Sequence, residues 1–468
     1  MFQSYTRKFL NKHASKGAPL LFVLGLLLIV LVPAVYPKEN FIDENAITVY
    51  RVPVFTSSNS ELLGNAEVPL GTRVVRGRRS VGSEALAVYV NAVSEPSVRL
   101  ANHLISILRE RENMACDTHF YFFNDTQENW PIPDSFVRAA LVINVTSFET
   151  NSLCFSVFGA NGMQPNQDLF NLAVVVAERW GFAIDVLCQN QYTSFSTTRS
   201  RYHHYYLALQ TALVAPLDYK PWYKMRSHGI SVLAVSTGGS AHGTTASHAH
   251  NMASAFEQII ATLSYLHERF HHSTSIWIPL SVKTYVEYDV VQFGTISLVA
   301  SLLSSAYSIY EAEGLNISPC AILICATAVV PILLKQFGTV GFIVSGGVLS
   351  GVLAAFALDL SWLAINAVVL CLLIILQPAA GLVLGSGAAL QLLFLHVKSR
   401  KRDLLLLGTV TSWLVLFFFT EVLKVKLFDT ETTAGLYFSF LLYPNALWVS
   451  SRFIRCVAGV RGGLVSIK

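Results

Sequence analysis

The sharpest chemical pattern in the sequence is His267-Glu268-Arg269-Phe270-His271. Two histidines four residues apart lie on one face of a helix, where both can ligate zinc while the glutamate acts as base. The pattern falls in a stretch, 249–271, with an apolar stripe at helical spacing: Met252, Phe256, Ile259, Ile260, Leu263, Leu266 and Phe270. His267 sits at the edge of that stripe and His271 flanks it. An amphipathic docking helix therefore accounts for the same residues. A charged Arg269 inside the motif is unusual for a buried metal helix. Glu287 and Asp289 are the downstream candidates for a third ligand, and neither is convincing. With 13 histidines in the chain, a chance match is the blander reading.

Other polar clusters are weaker. The segment 237–250, TGGSAHGTTASHAH, brings His242, His248 and His250 together. Such tracts can bind metal, but a flexible Gly/Ser/Thr loop explains the composition as well. His203-His204 falls on a helical pattern and reads as structural. The sequence lacks a Walker A loop, a G-x-S-x-G elbow and a G-x-G-x-x-G turn. Residues 38–288 contain no adjacent Glu-Glu and no His-x-Asp.

Strands and helices alternate through 38–288. Strands are expected at 85–92, 118–123, 137–145, 153–159, 182–188 and 229–236. Helices are expected at 96–111, 166–180, 202–214 and 249–271. This order predicts an α/β domain with a mainly parallel sheet covered on both faces. Residues 274–288 mix Trp277, Tyr285 and Tyr288 with isolated charges and read as an interfacial lead-in to a membrane span.

Composition supplies the rest of the frame. Of 468 residues, 53% are hydrophobic and 13% charged, against roughly 25% charged in soluble domains. The net charge of +4 is too small to argue for nucleic acid. Residues 18–36 carry no charge and span about 28 Å as a helix, and Tyr36-Pro37-Lys38-Glu39 makes a poor cleavage site. An uncleaved signal anchor is expected there. Seven further apolar runs, at 290–310, 319–334, 337–358, 361–377, 380–397, 404–423 and 434–450, bring the expected count to eight spans. The expected organisation is thus residues 1–17 cytosolic, the anchor at 18–36, an outer domain at 38–288, a seven-helix bundle over 290–450 and a cytosolic tail at 451–468. Basic residues at Arg7, Lys8, Lys12 and Lys16, in 398–403, and at Arg452, Arg455, Arg461 and Lys468 set that orientation, with both termini cytosolic.

Three of the seven cysteines, Cys116, Cys154 and Cys188, lie in the outer domain and cannot all pair among themselves. Asn124 and Asn144 are glycosylation sequons in that domain. Within the bundle, Gly347-x-x-x-Gly351 and Gly381-x-x-x-Gly385 permit close helix contact. Pro444 interrupts the last span at Leu442-Tyr443-Pro444, where it frees a backbone carbonyl and bends the helix. One functional reading of that bend is a groove for a lipid head group.

Three stretches carry a family resemblance. Phe41-Ile42-Asp43-Glu44-Asn45-Ala46 follows the anchor. Asn161-Gly162-Met163-Gln164-Pro165-Asn166-Gln167-Asp168-Leu169-Phe170-Asn171-Leu172 resembles an N-G-x-x-P-N-x-D-L-x-N-L signature. Leu442-Tyr443-Pro444 lies in the last span. Together they are similar to the glycosylphosphatidylinositol (GPI) anchor attachment protein family, a subunit of GPI transamidase. The resemblance implies a multi-pass endoplasmic reticulum membrane protein with a lumenal domain similar to M28 zinc aminopeptidases but without their metal ligands. No cofactor is implied and no catalytic residue. The subunit would present GPI lipid to a caspase-like catalytic subunit, alongside other membrane subunits and precursor proteins bearing a C-terminal GPI signal. Pro444 matches the family's last-span proline. With Tyr443, Gly347, Gly351, Gly381 and Gly385 it forms the expected lipid groove. The chain departs from the family in the reduced, basic segment 51–84, with Arg73, Arg76, Arg78 and Arg79. The alternative function is a membrane zinc peptidase using His267, Glu268 and His271.

Overall fold

The structure, a computed structural model, describes residues 2–40, 47, 71–77, 84–111, 114–124, 130–131, 136–157, 164–186, 198–214, 222–227, 229–238, 245–265, 277–313, 366–372, 378–392, 402–418, 420 and 442–457. The chain divides into two compact units. One comprises Pro33–Thr211 and Ala215–Glu287; the other comprises Met1–Val32, Ala212–Val214 and Tyr288–Lys468.

The first unit is an α/β domain. Its strands are β1 (Lys38–Glu39), β2 (Arg73–Val75), β3 (Glu84–Asn91), β4 (Asp117–Phe123), β5 (Phe136–Asn144), β6 (Ser152–Ser156), β7 (Ala183–Asp185), β8 (Val232–Gly238), β9 (Trp277–Pro279) and β10 (Thr284–Glu287). Its helices are α2 (Glu95–Glu110), α3 (Gln167–Arg179), α4 (Thr198–Val214), α5 (Trp222–Ser227) and α6 (Thr245–Tyr265). Seven strands form one sheet in the order β2-β4-β3-β5-β8-β6-β7. The pairs β3–β4, β3–β5, β5–β8 and β6–β7 are parallel, while β2–β4 and β6–β8 are antiparallel. The α/β expectation holds, with a mixed sheet that is parallel through its centre.

The central strands are apolar at successive positions because both faces are covered. Leu86, Val88 and Val90 of β3 and Leu141 and Ile143 of β5 join one core with α2, α3 and α6. Ala87, Tyr89, Ala140 and Val142 alternate to the opposite face. There, Tyr89 stacks on Trp130 at 4.9 Å between ring centroids, and Phe123 lies 4.0 Å from the same ring. The Tyr89 hydroxyl donates to Pro131 O at 2.8 Å. Each fully buried Leu, Val or Phe contributes about 1.5–3 kcal/mol relative to exposure.

One sequence expectation changes. Residues 277–288, the described part of the expected lead-in, do not form an aromatic interface belt. Over 277–287 the chain makes β9 and β10, which form a small antiparallel sheet with β1. Trp277 is fully buried, and its ring packs 5.1 Å from that of Phe170 in the domain core. The tryptophan follows core packing rather than membrane anchoring because its indole N–H finds a carbonyl partner inside. In the basic segment, Arg73–Val75 form edge strand β2 with Arg73 exposed, as a charged edge requires. Most of that segment lies outside the described residues.

The second unit contains α1 (Phe2–Val35, shared at its end with the first unit), α7 (Tyr288–Glu313), the helical stretch 366–372, α8 (Pro378–Leu392), α9 (Arg402–Phe417) and α10 (Tyr443–Val457). Among the described residues, Gly17–Val35 is the one helix long and apolar enough to cross a membrane; Gly381–Leu392 and Leu405–Phe417 are shorter apolar helices. The expected spans 319–334 and 337–358, with Gly347 and Gly351, lie outside the described residues. The last helix runs to Val457, past the expected end at 450.

Around an apolar interior, this unit exposes large apolar side chains and buries several polar ones. Leu20, Phe293, Leu414 and Phe417 are exposed, whereas Thr295, Ser301, Gln391, Ser412, Asn445 and Ser451 are buried. Hydroxyls fold back onto their own helices: Ser297 donates to Phe293 O, Ser386 to Leu382 O and Ser450 to Ala446 O. Such bonds satisfy the hydroxyls without water.

Candidate functional site

His267, Glu268 and His271 lie outside the described residues, since α6 is described to Tyr265. The structure does place their candidate third ligands. Glu287 pairs with Lys38 at 2.6 Å across the β1–β10 ladder, and Asp289 is exposed in the first turn of α7. His242 is also outside. His248 and His250 sit half-buried on α6, which starts within the expected flexible loop. Among the described residues, no three His, Cys, Asp or Glu side chains converge where they could hold a metal ion.

His203 and His204 lie on α4, as expected. His204 is buried, with Nδ1 2.8 Å from Ser200 O. Burial lowers its pKa from the ordinary value of 6.5, which favours the neutral ring. Glu257 of α6 is fully buried and meets Arg111 at 2.9 Å. Arg226 is also buried; it donates to Val232 O and Ser156 O and ties α5 to the sheet. Burial lowers its pKa to about 10, so it stays charged at neutral pH.

The parallel centre of the sheet offers the usual ligand position of an α/β domain. Strand order reverses at β3, with β4 on one side and β5 on the other. Ligands bind outside the carboxyl ends of strands at such a point. Here Asn91 ends β3 and Asn144 ends β5. Asn91 Nδ2 donates to Asn144 Oδ1 at 3.0 Å, and Asn91 Oδ1 accepts from Val93 N. Buried Ser97 donates to Val145 O and accepts from Val145 N. Thr146 and Thr237 share a 2.8 Å hydroxyl contact. These neutral groups bond chiefly to one another and to backbone, an arrangement suited to bracing the strand ends. The sequon residue Asn144 is thus half-buried and engaged, whereas Asn124 is exposed at the end of β4.

The N-G-x-x-P-N-x-D-L-x-N-L stretch has a clear structural task from Gln164 onward. Asn166 caps α3, accepting from Asp168 N at 2.8 Å. Asp168 adds negative charge to the first turn, where the helix dipole favours it. Gln164 Oε1 accepts from Trp277 N, and Pro165 O accepts from Trp277 Nε1, both at 3.0 Å. Gln167 Nε2 donates to Asn40 Oδ1 at 3.2 Å, and Asn40 Nδ2 donates to Val282 O at 2.8 Å. The motif therefore knots together the start of α3, the strap after α1 and the turn between β9 and β10. Leu169, Phe170 and Leu172 enter the core behind it.

Of the outer-domain cysteines, Cys116 is a buried free thiol and Cys154 is disulfide-bonded. Burial pushes the Cys116 thiol pKa up, away from the reactive thiolate. Cys188 lies outside the described residues.

In the second unit, Tyr443 and Pro444 open α10 and are buried. A proline in the first turn removes an N–H that has no ladder partner there. Leu442, just before, stands in a π-helical turn, a geometry that recurs at functional sites. Gln391 of α8 donates through Nε2 to Leu442 O at 2.9 Å and to Ser412 O at 3.3 Å. Trp413 of α9 donates to Ser450 of α10 at 3.1 Å. The carbonyl that Pro444 would leave free, four residues before it, lies outside the described residues; the carbonyl that Gln391 addresses is that of Leu442. Any bend upstream lies outside the described residues. Gly381 and Gly385 are buried. A Cβ at Gly385 would lie 3.5 Å from Thr295 and 3.6 Å from Leu370, so this glycine is a helix-contact position. Sequence reasoning missed Gln391; its one signal was an amide within an apolar run.

No curated protein matches the chain. Residues 135–310 match the family described as Gaa1-like, GPI transamidase component. The matched stretch runs from β5 into α7 and contains the Gln164–Asp168 knot; Pro444 lies beyond it. Over residues 135–310 the resemblance to the GPI anchor attachment protein family, the Gaa-type subunit of GPI transamidase, is therefore shown.

Proposed function

We propose that this chain is a non-catalytic subunit of a GPI transamidase complex in the endoplasmic reticulum membrane. It binds GPI lipid and presents it for transfer to the C-terminus of precursor proteins. The observation that carries this reading is the Gaa1-like match over 135–310. The large apolar side chains exposed on the second unit support a multi-pass bundle, and the disulfide at Cys154 supports a lumenal first unit. The first unit serves as a pseudo-peptidase, similar to M28 enzymes without their ligands, that docks the caspase-like catalytic subunit and orients the glycan. The bundle, with Tyr443, Pro444 and the glycines Gly347, Gly351, Gly381 and Gly385, holds the acyl chains and head group. Holding the ethanolamine amine beside the acyl-enzyme raises its effective concentration, and no nucleophile is needed from this chain.

The test is gentle purification from membranes, with mass spectrometry of co-purifying proteins, lipid and metal. A caspase-like protein, other multi-span proteins and GPI lipid should come with the chain, and Pro444→Ala should release the lipid while leaving the complex assembled. A lone chain carrying one zinc, with activity lost on Glu268→Ala, would replace this reading with a zinc peptidase.

A further inference from the structure

We propose that Gln391 is a positioning residue for the lipid site, holding the turn ahead of Pro444; the functional half of this proposal rests on the reading above. Gln391 is fully buried on α8. Its Nε2 donates to carbonyls on two other segments, Leu442 O at 2.9 Å and Ser412 O at 3.3 Å. Two carbonyl acceptors on the same nitrogen fix the amide orientation, because the reversed amide would set oxygen against oxygen. Oε1 is then the remaining atom, and it is buried without a hydrogen-bond partner. An amide kept in an apolar bundle with its acceptor unsatisfied is costly. Its two donor bonds are what it contributes in return. They join α8, α9 and the π turn at Leu442, so the first turn of α10 is set by Gln391 together with Pro444. Proline alone cannot do this, since it removes a donor and supplies none.

The experiment uses the full complex, comparing wild type, Pro444→Ala, Gln391→Leu and the double variant. Gln391→Leu keeps an apolar side chain of similar size but loses both donors. Amide hydrogen exchange over Tyr443–Trp448 should rise in Gln391→Leu, with α7 unchanged and the complex assembled. Retained GPI lipid should fall as far as in Pro444→Ala, and the double variant should be no worse than either single one, because both act on one turn. Gln391→Asn, which keeps the amide on a shorter stem, should recover part of the lipid if it reaches Leu442 O. Unchanged exchange over Tyr443–Trp448 overturns the proposal, as does full lipid retention in Gln391→Leu where Pro444→Ala has lost it. Should the wild-type complex carry no GPI lipid, the proposed function fails and the exchange result alone decides whether Gln391 sets the turn. If Gln391→Leu fails to assemble, Gln391→Glu provides the second variant. Its carboxyl can still donate to one carbonyl when protonated, so protection over Tyr443–Trp448, referenced to the intrinsic exchange rate at each pH, should fall on ionisation at alkaline pH; pH-independent protection overturns the proposal.

Discussion

At the scale of single residues, the first unit buries polar groups mainly to brace the fold. His204 gives a measurable consequence. Burial disfavours its charged form, so its pKa in the folded state lies below 6.5. The unfolded chain takes up a proton as pH falls through about 6.5, while the folded chain does not until lower pH. Protons therefore favour the unfolded state across that window, and stability falls as the medium is acidified below about pH 6.5. Above it the ring is neutral in both states and contributes no pH dependence. Thermal unfolding of the full chain in detergent between pH 7.5 and 5.5 should show a steeper acid loss in wild type than in His204→Gln. Parallel slopes would mean that the ring is solvated. Arg226 and Glu257 teach the same lesson in the sequence. Nothing in their spacing announced that one would face backbone carbonyls and the other Arg111.

Elements are where the sequence was most readable, and where its limits show physically. Two glycines that match no G-x-x-x-G pattern make a close helix crossing. A Cβ at Gly25 of α1 would lie 2.7 Å from Gly294 O of α7, and a Cβ at Gly294 would lie 2.7 Å from Ile29 Cγ1. The first clash is with backbone, so the helices must separate. Gly25→Ala should cost about 1–3 kcal/mol, the range for overpacking, and lower the thermal midpoint of the solubilised chain. Gly385→Ala meets only ordinary contacts, and alanine favours helix by about 1 kcal/mol over glycine; its midpoint should hold or rise. Equal losses would contradict this packing. The G-x-x-x-G pattern identified Gly385 because it reads spacing along one helix. Gly25 and Gly294 were invisible because each has its small partner on another helix. By contrast, β3, α2, β4, β5 and α3 were legible to within a residue or two, since burial on both sheet faces and a capped amphipathic helix leave periodic marks. Short β9 and β10 carry too few residues for any period, and their aromatic content imitates a membrane interface.

For the whole molecule, the two units differ most in the large apolar side chains they expose. The first hides its apolar residues around a sheet. The second exposes Leu20, Phe293, Leu414 and Phe417 while burying Gln391, Asn445 and Ser451, the arrangement expected where lipid replaces water. The proposed reading puts the first unit in an oxidising lumen, where a disulfide such as that at Cys154 persists. The sequons turn the argument into a test of topology. Asn124 is exposed at the end of β4 and open to a glycan. Asn144 is half-buried, and its Oδ1 is held by Asn91 at the strand ends, where a sugar would break the bracing between β3 and β5. Endoglycosidase treatment should therefore shift the mobility of the chain made in cells. Asn124→Gln should abolish that shift, and Asn144→Gln should leave it intact. A chain that shows no shift and resists proteolysis only on the cytosolic side would invert the orientation. The first unit would then lie where no GPI precursor arrives, and the proposed presentation of lipid to a lumenal catalytic subunit could not operate.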